Sequence, residues 1–166
     1  MLNALGNIGD LLSGLGVIVT LIYLAIQIRQ NTKIAKTQSY QAAVAAVSDW
    51  SREVGMDAES CRIIQVGSVD QSSLSDVERG QFNLLMASFL RNCENIHYQH
   101  INGAIDAGTW SGWAKRTRSM LAPDGAQTWW KNTQTAYSAE FRRFVNEEHD
   151  DNDLPEGIVI KHRPTA

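Results

Sequence analysis

The sequence predicts an all-α protein in which an N-terminal transmembrane helix continues into a stalk and leads to a small helical-bundle cytoplasmic domain. The first observation behind this is a segment near the N-terminus, residues 11–28, that carries no formal charge. The second is that apolar residues then recur at helical spacing between helix-start and helix-stop signals. The only strand-like triplet, Ile158 to Ile160, lies in the tail. We expect an anchor (residues 1–30), a helical cytoplasmic domain (31–148) and an acidic, flexible C-terminal tail (149–166).

The uncharged segment is long enough to cross a bilayer, since 18 residues at 1.5 Å each give a helix of about 27 Å. A cleavable signal peptide is disfavoured because no Lys or Arg precedes Arg29 and no small-residue cleavage site follows the apolar run. A buried core helix of a soluble protein is the remaining alternative, because glycines and Gln27 make the segment only moderately apolar.

Basic residues follow the segment and none precedes it: Arg29, Lys33 and Lys36. Lys and Arg at the ends of a membrane helix are retained in the cytoplasm. The N-terminus is therefore predicted to lie outside and the remaining chain in the cytoplasm.

Small and polar residues in the anchor share one face, which we call the seam: Gly9, Ser13, Gly16, Thr20, Tyr23 and Gln27. Their spacing alternates between four and three, which is the register of packed helix pairs and bundles. The pattern predicts self-association or docking on a larger membrane complex, with lipid against the aliphatic sides. Coincidence is the alternative, since glycine and serine are frequent in membrane helices.

Helix boundaries in the domain follow from capping signals. The first helix is expected to end at Gly55, a short helix to cover Ser60 to Val66, and residues 67–73 to form a polar linker. Ser75 and Glu78 form a capping box that opens a helix to Ile101, with this inward face: Phe82, Leu85, Met86, Phe89, Cys93, Ile96 and His100. Three shorter helices are predicted over residues 109–121, 126–135 and from the Ser138 cap onward.

Composition limits the function classes. In 166 residues with a net charge of -3 there is no global attraction to nucleic acid, so no nucleic-acid partner is expected. Two cysteines, Cys61 and Cys93, are too few for a disulfide scaffold and read as core thiols. The strongest phosphate-loop, dinucleotide, zincin and hydrolase motifs do not occur, and no cofactor is expected.

Several runs resemble a group of uncharacterised bacterial proteins that have one N-terminal membrane helix and a small helical cytoplasmic domain. The runs are residues 8–32 (IGDLLSGLGVIVTLIYLAIQIRQNT), 91–95 (RNCEN), 103–113 (GAIDAGTWSGW), the Trp129 and Trp130 pair, and 141–145 (FRRFV). The likeness extends to about Glu148. It implies a bacterial inner-membrane protein and carries no known activity or catalytic residue.

Two groups of residues could carry chemistry. Four tryptophans lie within 21 residues and are candidates for a ligand or protein interface, or for the core: Trp110, Trp113, Trp129 and Trp130. Glu94 and His97 form the E-x-x-H pair of di-metal helical bundles, but no second such pair exists, which favours an ion pair of Glu94 with an arginine such as Arg91.

The sequence therefore predicts a non-enzymatic, single-pass inner-membrane protein that self-associates or serves a membrane complex as a scaffold or accessory subunit, with membrane lipid as its other partner. The alternative is a regulatory membrane protein that senses a small molecule or lipid through a Trp-rich pocket. A metal-dependent enzyme built on Glu94 and His97 is a third hypothesis.

Overall fold

The computed structural model describes the backbone of residues 2–147 and the side chains of residues 14–147. Its elements are α1 (Leu2–Met56), α2 (Ala58–Val69), a 3-10 turn (Gln71–Ser73), α3 (Asp76–Ile101), α4 (Ala107–Leu121), α5 (Asp124–Thr133), a second 3-10 turn (Gln134–Ala136) and α6 (Ala139–Asn146). Residues 2–147 contain no strand, so the all-α prediction is confirmed. The predicted tail and its triplet at Ile158 to Ile160 lie outside the described residues.

Polar side chains cap most of the helices after α1. Asp57, Asp106 and Ser138 accept hydrogen bonds from backbone N–H groups in the first turns of α2, α4 and α6. The capping box at α3 is confirmed, because the Glu78 N–H donates to Ser75 Oγ and the Ser75 N–H donates to Glu78 Oε2 at 2.7 Å. These hydrogen bonds from Ser75, with the Arg62 guanidinium, lower the pKa of Glu78 to about 2.

The chain divides into two compact units between Gln38 and Ser39. This point lies further along α1 than residue 30, where the sequence predicted the anchor to end. The second unit therefore begins inside α1, and its first 18 residues, 39–56, are helical.

The last part of α1 belongs to the core of the second unit. Ala43, Val47, Trp50 and Val54 are at most 7% exposed and recur at intervals of four and three, so they form one buried stripe. The Trp50 Nε1–H donates to the Leu85 carbonyl at 3.0 Å, and its ring lies 4.8 Å from the Phe89 ring. The helical continuation predicted beyond Arg29 is present, and its final turns supply core side chains that the sequence reading had not assigned.

The long helix α3 is the centre of this core. Five of its seven predicted inward residues are buried (Phe82, Met86, Phe89, Cys93 and Ile96), whereas Leu85 and His100 are half-buried. Leu90 and His97 are buried in addition. Because α3 packs against α2, α4 and α6, its buried surface is wider than one helical stripe.

The predicted linker at residues 67–73 is partly wrong, because α2 continues to Val69 and Gly67 is buried inside it. Gly67 lies where α2 crosses α5. A Cβ on Gly125 of α5 would stand 2.3 Å from the Gly67 carbonyl oxygen, so only glycine allows the two backbones to approach so closely. The Gln71 amide adds a 2.6 Å hydrogen bond to the Gly125 carbonyl.

Candidate functional site

The apolar segment of α1 is exposed among the residues that the structure describes. Its large aliphatic and aromatic side chains between Leu15 and Ile28 are all between 48% and 64% exposed. α1 is long and apolar enough to cross a membrane by length and composition, and its most apolar 18-residue stretch has no buried residue. A core helix of a soluble domain would bury these side chains, and no described residue of this chain buries them.

Two local hydrogen bonds link polar residues of the seam. Thr20 Oγ1 donates to the Gly16 carbonyl at 2.8 Å, and Gln27 Nε2 donates to Tyr23 Oη at 3.2 Å. The Thr20 donor is therefore used inside the helix. The Gln27 carbonyl oxygen accepts no hydrogen bond among the described side chains, and an amide in lipid needs such a partner. Gly9 and Ser13 lie in the backbone of α1, but their side-chain positions fall outside the described part of the chain.

The three basic residues that follow the apolar segment, Arg29, Lys33 and Lys36, are all exposed on α1. Exposed cations at this position suit a water-facing or headgroup-facing location. The side of the membrane on which they lie stays a prediction.

The structure separates the four candidate tryptophans. Trp129 and Trp130 are 4% and 5% exposed and belong to the core. Their indole N–H groups donate to Asn83 Oδ1 and Asn146 Oδ1, each at 2.8 Å, which satisfies the polar atom of each ring. These two tryptophans stabilise the domain.

Trp110 is half-buried and belongs to an aromatic cluster that joins α3, α4 and α6. Its ring stacks on His100 at 5.2 Å and meets Phe144 edge-on at 4.8 Å. His97 lies within 5.1 to 5.7 Å of the Trp110, Phe141 and Phe144 rings. Burial lowers the pKa of His97, nearby His100 lowers it further, and Glu140 and Glu94 oppose the shift.

Trp113, the fourth tryptophan, borders an open groove of about 590 Å³ in the second unit. One wall is a face of α4 formed by residues at helical spacing: Thr109, Gly112, Trp113 and Arg116. The other wall comes from α1: Tyr40, Val47, Ser48 and Ser51. The i, i+3, i+4, i+7 spacing in α4 was visible in the sequence, but the α1 wall could not be anticipated because it is 58 to 76 residues away along the chain.

The E-x-x-H pair is engaged in structural contacts. Glu94 Oε2 accepts from Arg91, as the sequence favoured, and Glu94 Oε1 accepts from the Ser138 N–H at the start of α6 at 2.7 Å. His97 is turned into the aromatic cluster. Among the described residues no group of three or more His, Cys, Asp or Glu could hold a metal ion.

Cys93 is a core thiol, as predicted. It is 1% exposed, and burial raises its pKa to about 12, which keeps it protonated and unreactive. Cys61 is a half-buried free thiol on α2.

No protein-family model, curated protein or solved structure matches this chain. The likeness of residues 8–148 to the group of single-helix bacterial proteins stays a prediction.

Proposed function

We propose that this chain is a non-enzymatic, single-pass protein of the bacterial inner membrane, which self-associates through the α1 seam or docks there on a larger membrane complex. In this arrangement residues 11–28 cross the bilayer, the N-terminus faces outward and the helical domain serves in the cytoplasm as a scaffold or accessory subunit.

The observation that carries the membrane assignment is the exposure of the apolar segment. Ten large apolar side chains between Leu15 and Ile28 are about half exposed, and transferring such surface from water to hydrocarbon is favourable at about 25 cal/mol per Å². The alternative of a core helix requires partners for these side chains, and residues 14–147 provide none. The basic residues from Arg29 to Lys36 support the orientation.

Self-association is supported by the small and polar residues of the seam, which contrast with the aliphatic residues on the rest of the helix surface. Gly16 has no heavy atom within 4 Å of a Cβ position, so a second helix could approach its backbone closely. The Gln27 Nε2–H donates to Tyr23 Oη, while the Gln27 carbonyl oxygen accepts no hydrogen bond from another described residue. In lipid that oxygen gains most from a donor on another helix.

The test is a matched pair of glycine substitutions in the purified, detergent-solubilised full chain. Gly16 lies on the seam, whereas Gly14 lies off it, and a Cβ at either position would have no other described residue within 4 Å beyond its own stretch of helix. We expect Gly16→Leu and Gln27→Leu each to weaken association roughly two- to thirtyfold, because seam contacts contribute about 0.5 to 2 kcal/mol each.

Analytical ultracentrifugation in a density-matched detergent measures the change, with Gly14→Leu expected to behave like the wild type. If all three variants give the wild-type mass of the complex, the seam has no role in assembly. If Gly14→Leu dissociates the complex and Gly16→Leu does not, the contact face has been misassigned.

A further inference from the structure

We propose that the groove between α1 and α4 binds a small amphipathic anion, with a carboxylate or phosphate group on Arg116 and an apolar or aromatic body against Trp113 and Val47. The site lies wholly in the second unit, so it does not depend on membrane insertion or on self-association.

Small residues create the space. Ser48 and Ser51 line the α1 wall, and Gly112 lies on the α4 wall with open space where its Cβ would be. Glycine inside a helix costs about 1 kcal/mol relative to alanine, and here it leaves room between Trp113 and α1. At about 590 Å³ the groove is in the size range of sites for small organic molecules.

The charge in the groove is a single cation. Arg116 is half-buried and forms no hydrogen bond or ion pair with another described residue, although five other arginines have a carboxylate within 4.0 Å: Arg52, Arg62, Arg79, Arg91 and Arg118. A guanidinium binds carboxylate and phosphate with paired, charge-assisted hydrogen bonds. No described residue therefore competes with an anion that binds Arg116 in the groove.

The two ends of the groove differ in charge, and this difference orients the ligand. Thr109 and Arg116 are two turns apart on α4, about 10 Å at 1.5 Å per residue. At the Thr109 end the Asp106 carboxylate accepts from both the N–H and the hydroxyl of Thr109. That negative charge disfavours an anion there, so the anionic group belongs at Arg116.

Between the two ends the lining is apolar and aromatic with hydroxyl edges. Trp113 and Val47 offer ring and aliphatic surface, and Tyr40, Ser48 and Ser51 offer hydroxyl groups. This composition suits an acyl or aromatic body carrying one acid group, which could come from a dissolved metabolite or from an acidic lipid.

The experiment uses the full chain in phosphatidylcholine nanodiscs and isothermal titration calorimetry, with empty nanodiscs subtracted. The probe is 1-naphthyl phosphate, and its uncharged counterpart is 1-naphthol. We expect saturable binding of the phosphate and at least roughly tenfold weaker binding of the naphthol, as for loss of a charge-assisted hydrogen bond.

Three variants assign that binding to the groove. Arg116→Gln is expected to weaken it at least roughly tenfold, and Gly112→Leu to abolish it by filling the space without a clash. Arg143→Gln removes an exposed arginine of α6 that does not line the groove, and should bind like the wild type. Thermal melting of each variant verifies that the domain is folded.

A second arm distinguishes the sources of the ligand. If phosphatidylglycerol added to the nanodiscs competes with 1-naphthyl phosphate, the site takes a lipid headgroup, and if it does not, the site takes a dissolved anion. The proposal is overturned if the wild type binds no 1-naphthyl phosphate at millimolar concentration, or if folded Arg116→Gln binds it as tightly as the wild type.

Discussion

The two units of this chain treat apolar side chains in opposite ways. Between Leu15 and Ile28 the aliphatic residues are about half exposed, whereas in the second unit Phe82, Phe89 and Phe141 are completely buried. Composition averaged over the chain hides this contrast, since a mean hydropathy of -0.25 is typical of soluble proteins. One segment is therefore long and apolar enough to cross a membrane, while the second unit buries its own core.

The largest loss of stability in the second unit should come from truncating Phe89 at the centre of its core. Phe89 is fully buried against Trp50, and Phe89→Ala should lower the free energy of unfolding by about 3 to 5 kcal/mol through lost contacts and a cavity. Leu84→Ala on the same helix is the control, because Leu84 is 70% exposed. Chemical denaturation monitored by circular dichroism measures both, and equal losses for the two variants would contradict the assigned core.

The next largest expected effect is the difference in stability between alanine substitutions at two glycines, Gly125 and Gly112. Gly125→Ala should destabilise the domain by about 1 to 3 kcal/mol, because its Cβ would stand 2.3 Å from the backbone oxygen of Gly67. Gly112→Ala should stabilise it by up to about 1 kcal/mol, since its Cβ meets open space and alanine is the better helix former. Thermal melting separates the two, and a stabilising Gly125→Ala would refute the close crossing of α2 and α5.

The smallest expected effect is the dependence of the domain's stability on pH through His97. His97 has a lowered pKa in the folded state, so the unfolded chain binds its proton at higher pH. The stability that neutral His97 contributes should be fully present above pH 6.5, the ordinary pKa of histidine, and should be lost as the pH drops below 6.5 towards the folded pKa. The contribution of Glu78, whose pKa is about 2, is lost only at lower pH, between 4.5 and 2.

His97→Gln removes the titration and should flatten the change in melting temperature between pH 7.5 and 5.5, while the change below pH 4.5 stays. An unchanged slope between pH 7.5 and 5.5 in His97→Gln would mean that His97 is not the group responsible.

Much of the fold could be predicted because its signals are local. The Ser75 and Glu78 box, the Ser138 cap and the stop at Asn102 and Gly103 each act within four residues, and all three are confirmed. The missed features depend on distant pairs. Gly67 looks like a turn residue until Gly125 is placed against it, and Trp50 looks like part of a stalk until Leu85 and Phe89 are its neighbours.

The candidate sites also differ in whether they depend on neighbouring residues or on residues far apart in the sequence. The seam stays a prediction from the spacing of residues along a single helix. The four tryptophans could not be sorted from their proximity in sequence, because burial of Trp129 and Trp130 depends on α3 and α6. The groove needed both Arg116 and the serines of α1, which no short motif connects.

The most direct test of the proposed membrane location is whether residues 11–28 hold the protein in a membrane. In cells that produce the full chain, the wild type should stay in the membrane pellet after alkaline carbonate extraction. Val19→Arg combined with Ile22→Arg should move it to the supernatant, because each arginine at the centre of a membrane helix costs about 2.5 to 3.5 kcal/mol. Val77→Arg combined with Leu84→Arg, at exposed positions of α3, should stay in the pellet. Wild-type protein in the supernatant, or a Val19→Arg and Ile22→Arg variant that stays in the pellet, would contradict the account.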